Sequence, residues 1–402
     1  MHTTRHQRAA AGALAALVLC GFAATGPVSA DTAKRSVSPA LTPQDGSTNV
    51  RTPDDRLELG DAGASRSAAD VARRTGYALL EPVTLPHDAS AVSVDYAARE
   101  PTGSSAAVDV RARARDGAWT QWTAAAPGRA TNLSVSSRTV QLRVVLQAAD
   151  AEASPSVGDV AVAAAQATKQ AVARAAAPVA SRVYATREGL VGGTTANGHV
   201  IVERDHFVAL PSRRGLSAAG NGDYSVQVCA NGRCVWEPVW DVGPWNTKDD
   251  YWSPSATREM WQDLPQGRPE AQAAYEDGYN GGRDEFGRDV ANPAGIDLAD
   301  GTFWDGLGMT DNGWVDVVYQ WTGDGAYGTV ELDGGYLNVR NAAGTGGGVV
   351  GMAGDAARVP LQCQVQGDSV TGSQGTTTTW YRVNAGMYLS KAWVAGGDVA
   401  AC

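Results

Sequence analysis

The chain reads as all-β, and three features carry that reading. Residues 91–96, 107–113 and 139–144 alternate apolar and polar side chains at period two, with turn signals such as Asp116-Gly117 between them. Residues 229–234 (CANGRC) set two cysteines around Asn231-Gly232, the strongest short-range hairpin signal. Short strand-like runs separated by Gly and Pro turns then continue to the C-terminus.

At 402 residues the chain exceeds what one core supports, so several modules are expected. Residues 1–30 carry Arg5 and Arg8, an apolar run from Ala9 to Ala24, and Val28-Ser29-Ala30, the pattern of a secretory signal peptide cleaved after Ala30. Cys20 does not make this a lipoprotein signal, because Leu19 stands where a small residue is needed. Residues 31–70, rich in Ser, Thr, Pro, Asp and Arg, read as a disordered leader. Residues 71–165 carry the alternating strands of a β-sandwich, in which Trp119 and Trp122 are expected to pack.

An Ala-rich linker (166–181) leads to a second β-rich domain (182–324). Its strands are expected at Gly198–Val202, Tyr224–Val228, Val235–Val239 and Gly313–Trp321. One helix is expected from Ser253 to before Pro265, and another from Pro269 to Gly281-Gly282. Residues 325–402 form a third module of short strands.

Five cysteines become four once Cys20 is removed with the signal, and an even count in an oxidising compartment favours disulfides. Across the hairpin Cys229 faces Cys234 at a non-hydrogen-bonded position, so those two pair and Cys363 pairs with Cys402. A Cys/His metal site lacks a second ligand pair. Asp277, Asn280, Asp284, Glu285 and Asp289 fail the alternate-oxygen spacing of a calcium loop, so the 253–295 segment reads as a solvated lid. No metal or cofactor is expected.

A net charge of −10 with no basic stripe argues against nucleic acid and anionic membrane as partners. After the signal no run of 18 uninterrupted apolar residues remains, so the exported chain is expected to be soluble and monomeric. The sequence has no G-x-S-x-G, H-E-x-x-H or P-loop, and Gly346 to Gly351 lacks the βαβ context of a dinucleotide site.

Three resemblances follow. Residues 71–165, with W-T-x-W at 119–122 and S-P-x-V at 154–157, resemble the β-sandwich modules at the front of actinobacterial wall amidases. Thr194-Thr195-Ala196-Asn197-Gly198, His206, Leu210-Pro211, Asn231-Gly232-Arg233, Asp241 with Gly243-Pro244, and Ile296-Asp297-Leu298 occur in the order found in the rare-lipoprotein-A and expansin type of double-psi β-barrel. Tyr336-Leu337-Asn338-Val339-Arg340, Val349-Val350-Gly351 and the late aromatics Trp380, Tyr381, Tyr388 and Trp393 resemble a bacterial SH3-type domain.

The barrel resemblance implies a polysaccharide site, with Asp241, Asp297 and His206 at family positions. His199 stands where lytic transglycosylases of that family carry a glutamate. Glycosidic cleavage needs a proton donor, and Asp241 between Trp240 and Trp245 is the first choice. Trp240 walls it, and Trp245, Tyr251 and Trp252 are candidates to stack on sugar rings. The competing reading makes Asp241 a cap of the Gly243-Pro244 bend and Asp297 a cap of the next helix.

The resulting expectation is a secreted, cell-wall-associated protein that binds peptidoglycan or a related polysaccharide, anchored by its SH3-like module. A lytic transglycosylase using Asp241, and a protein-binding barrel of the protease-inhibitor kind, stand as alternatives.

Overall fold

The computed structural model describes residues 36–61, 65–66, 72–149, 153–167 and 177–402. The expected signal peptide lies outside these residues, as does most of the linker. The chain is all-β, as its alternation implied, and three strand systems organise it.

The N-terminal sheet is built around two long strands, Val83–Arg99 and Ala130–Ala148. One half of Ala130–Ala148 pairs with Val83–Arg99; the other lies between Ala72–Leu79 and Ser104–Ala112. The sheet thereby folds over a core that includes Val92, Val94, Val108, Val110, Leu142 and Val144. Residues 36–61 depart from the expected leader. Val37 bridges Val162, Thr48 bridges Tyr77, and Leu57–Leu59 pairs with Ser156–Ala164. Leu57 and Leu59 are fully buried in the core. Composition suggested a disordered leader, but two leucines in a polar segment suffice to add a strand when a sheet edge is waiting.

The barrel uses six strands, labelled here β1 (Ala180–Glu188), β2 (Val208–Leu210), β3 (Ser225–Ala230), β4 (Arg233–Val242), β5 (Ala294–Ala299) and β6 (Gly313–Tyr319). Their order is β2-β5-β1-β6-β3-β4, and β4 pairs back with β2 to close the ring. Two contacts are parallel, β1 with β5 and β2 with β4; the rest are antiparallel. Inward residues Val183, Ala185, Val208, Leu210, Val226, Val228, Val235, Val239, Ile296, Leu298, Val315 and Val317 fill it. Closure leaves no edge among these strands, so every second side chain points outward, toward loops and the neighbouring modules.

The β3–β4 hairpin turns at Asn231-Gly232 with both residues at positive φ, and Cys229 and Cys234 are opposite each other and bonded. Cys363 is bonded to Cys402. Gly198–Val202 is no strand; Thr194 and Val200 bridge within a loop between β1 and β2. The segment after Ser253 forms a single 3₁₀ turn, Ser255–Thr257. The second expected helix is shorter than anticipated, Glu270–Asp277, stopped by Gly278 in the left-handed region. The insert is more than a solvated lid, since Arg258, Glu270 and Asp284 are buried in it.

A strand at Val349–Gly354 runs parallel to β4, pairing residues 351–353 with 234–236, so the barrel sheet continues into the C-terminal region. Trp236 projects from β4 into the same cluster as Val339, Tyr381 and Leu389. The sandwich meets the barrel through cations and rings. The guanidiniums of Arg111 and Arg143 lie 4.4 and 4.5 Å from the Trp122 ring, and Arg111 pairs with Asp223 at 2.8 Å. Trp122 is therefore packing, as expected, and it packs between two modules. No helix among the described residues is long and apolar enough to cross a membrane.

Candidate functional site

One row across the barrel gathers its acids. Pairing sets Thr186 of β1 beside Asp297 of β5, Asp297 beside Ala209 of β2, and Ala209 beside Asp241 of β4. Because Ala185, Val208, Leu210, Ile296 and Leu298 point inward, this row faces away from the apolar core. A register shift between Val208 and Ala209, opposite Val239 and Asp241, turns Asp241 to that face. Two residues beyond Thr186 on the same face stands Glu188, the last residue of β1.

All three carboxylates are buried, with Asp241 at 0 %, Glu188 at 4 % and Asp297 at 7 % exposure. Asp241 Oδ1 accepts the N–H groups of Ala196 at 2.7 Å and Val242 at 2.8 Å. Asp297 accepts a hydrogen bond from the Thr186 hydroxyl. The Asp297 carboxyl is pushed up to about 7, by burial first and then by the Asp241 charge, against the pull of the Thr186 hydrogen bond. Burial likewise holds Glu188 well above the usual carboxylate range, reinforced by Asp241 and Asp297. No N–H or O–H donor among the described residues reaches either Glu188 oxygen; carboxylates are its polar neighbours. Burial and mutual repulsion both disfavour full ionisation of the three carboxyls, which favours a retained proton near neutral pH.

Glu188 was missed in the sequence, where attention fell on the absence of a glutamate after Gly198. The signal was the alternation of β1, which puts Tyr184, Thr186 and Glu188 on one face.

The expected histidines part company. His199 lies at the edge of the acids: its Nε2 is 2.5 Å from Asp205 Oδ2, and its ring is 4.7 Å from that of Trp240. Burial opposes it, but the His199 contact and the N–H of Val202 bring the Asp205 carboxyl below its ordinary value. His206 points elsewhere. It is buried with its Nδ1 3.1 Å from Glu237 Oε1, under the ring of Tyr336.

The expected stacking aromatics are mostly core. Tyr251 and Trp252 are buried against Tyr319, and the Tyr319 hydroxyl donates to that of Tyr251 at 2.8 Å. Neither is open to a sugar; a run of aromatics beside a bend served packing instead. Trp240 is buried with its indole N–H on Asn221 O, and Trp245 is half-buried with its N–H on Asn292. In the C-terminal region Trp380 and Tyr381 are also core residues. The expected capping role for Asp297 finds no support, since its side chain is engaged by Thr186 across strands. Among the described residues no group of three or more His, Cys, Asp or Glu is placed to hold a metal ion.

Neither a curated protein nor a solved structure matches the chain. A family model described as a domain of unknown function (DUF8814) matches residues 179–318, the span of the six barrel strands.

Proposed function

We propose that this is an exported, cell-wall-associated protein whose barrel cleaves peptidoglycan glycan strands by acid/base catalysis, with Asp297 as the proton donor. The observation that carries this reading is the Asp297 carboxyl, buried beside two other carboxylates and held up to about 7. A site that only binds sugar has no use for a stored proton, and such a group costs folding stability. Signal-like residues 1–30 and the two disulfides support export. The closed six-stranded ring with two parallel contacts supports the double-psi assignment, and the 325–402 region is read as the wall anchor.

In this reading Asp297 gives its proton to the glycosidic oxygen as the bond from C1 breaks. The 6-hydroxyl of the same sugar then bonds to C1 and returns its proton to Asp297, leaving a 1,6-anhydro end. Burial, with the Asp241 charge adding to it, sets the Asp297 proton affinity. One specific observation favours a purely binding barrel: Asp241, the family's first candidate, is fully covered and its Oδ1 is taken by two backbone N–H groups.

Incubating the protein with purified sacculi and analysing released fragments by mass separates the two. Anhydro-muramyl products from wild type, reduced about 10²- to 10⁴-fold in Asp297→Asn, support cleavage. Intact glycan after incubation with folded wild type would leave the binder.

A further inference from the structure

We infer that the outward face around Trp314 and Tyr184 is a saccharide-stacking subsite that leads to Asp297, an inference resting on the polysaccharide reading of the barrel. Trp314 of β6 is paired with Tyr184 of β1, and their rings meet edge to face at 5.7 Å and 83°. That contact fixes the indole's orientation, yet Trp314 stays 40 % exposed. A large ring on a closed barrel strand is not there to fill the core; Val315 and Val317 do that from the same strand.

Other indoles do not compete for the role. Trp304 is 38 % exposed, but the guanidiniums of Arg187 and Arg204 lie 4.8 and 4.6 Å from its ring. Asp300 and Asp305 hold those two arginines in place. Trp236, Trp252 and Trp321 are buried.

Position ties Trp314 to the acids. Tyr184 and Thr186 share the outward face of β1 about 7 Å apart, and Thr186 holds Asp297. The path runs from an exposed ring, over a hydroxyl, to the most accessible of the three carboxylates. Arg182 and Asp316, paired across β1 and β6 and both exposed, border the same ring. A pyranose offers an apolar C–H face rimmed by hydroxyls, and an aromatic plate bordered by charged and hydroxyl groups complements it. The approach is therefore from the β1–β6 side toward Asp297, and not over Asp241, which is fully buried and accepts the Ala196 N–H.

The test uses the full chain carrying Asp297→Asn, so that no turnover intervenes, and the hexamer of β-1,4-linked N-acetylglucosamine as probe. Calorimetric binding should weaken about tenfold or more when Trp314→Ala is added, and stay unchanged when Trp304→Ala is added instead. Thermal melting checks that each variant is folded. Equal affinity with and without Trp314, or no binding of the hexamer to the Asp297→Asn chain, overturns the subsite. Hexamer binding without fragment release from sacculi would remove the cleavage reading and leave the subsite. Fragment release with the same KM in Trp314→Ala would remove the subsite and leave cleavage.

Discussion

Two sets of buried carboxylates differ in the company they keep. On the insert side Asp249 is paired with Arg258, both fully buried, and Asp250 pairs with Arg214 at 2.8 Å. At the sandwich junction Asp109 pairs with Arg143 at 2.7 Å. Around Asp297 and Glu188 the electrostatic neighbours are other carboxylates, and no guanidinium is among the groups that set their proton affinity. The paired acids are cross-links between elements. The gathered acids are held toward their protonated forms by burial and one another's charge, the feature on which the proposed cleavage rests.

A raised carboxyl alone does not make the distinction. Asp249 rises to about 6 through burial despite Arg258, and Glu270 rises to about 7, again mainly through burial. Glu270, however, accepts the Asn246 side-chain N–H at 2.7 Å at the start of the helix Glu270–Asp277, away from the barrel row. It is the row of acids on an outward barrel face, next to Trp314, that separates the two regions.

The largest expected difference comes from the paired set. Arg258→Ala strands Asp249 in the interior and should cost about 3–5 kcal/mol of stability. Urea melts of the full chain measure this, and a loss below about 1 kcal/mol would erase the contrast.

The gathered set should respond in the opposite direction. Asp297 has a folded-state value near 7 against about 4 in the unfolded chain, so the stability it contributes is fully present below about pH 4. That stability is lost as pH rises through 7. Asp297→Asn keeps an oxygen for the Thr186 hydroxyl and removes the charge. The variant should therefore gain on the order of 2–4 kcal/mol at pH 8 and little at pH 4, read from melts at the two pH values. A loss at pH 8 would mean that the ionised carboxylate is stabilising.

Much of this was legible in the sequence. The CANGRC hairpin fixed its own disulfide because an Asn-Gly turn leaves only one register for Cys229 and Cys234. Asp241 and Asp297, singled out by the double-psi resemblance, are brought to one row. What stayed hidden depended on distant partners. Leu57 and Leu59 look isolated until a sheet edge receives them, and Glu188 looks like the end of a strand until Asp241 arrives from 53 residues later in the chain. Tyr251 and Trp252 misled for the converse reason, since clustered aromatics pack a core as readily as they line a groove. Trp314 carried a weak signal, an indole between Gly313 and the inward Val315 of an alternating strand.

Asp297 holds a proton near neutral pH because it is buried, with the Asp241 charge adding to the effect. Carbon-13 NMR titration of the labelled Asp297 side-chain carboxyl, in wild type and in Asp241→Asn, tests it most directly. Wild-type Asp297 should titrate near 7, and in Asp241→Asn it should move down while staying well above the ordinary aspartate range, because burial remains. An Asp297 carboxyl that titrates near 4 in the folded wild-type chain would contradict the account.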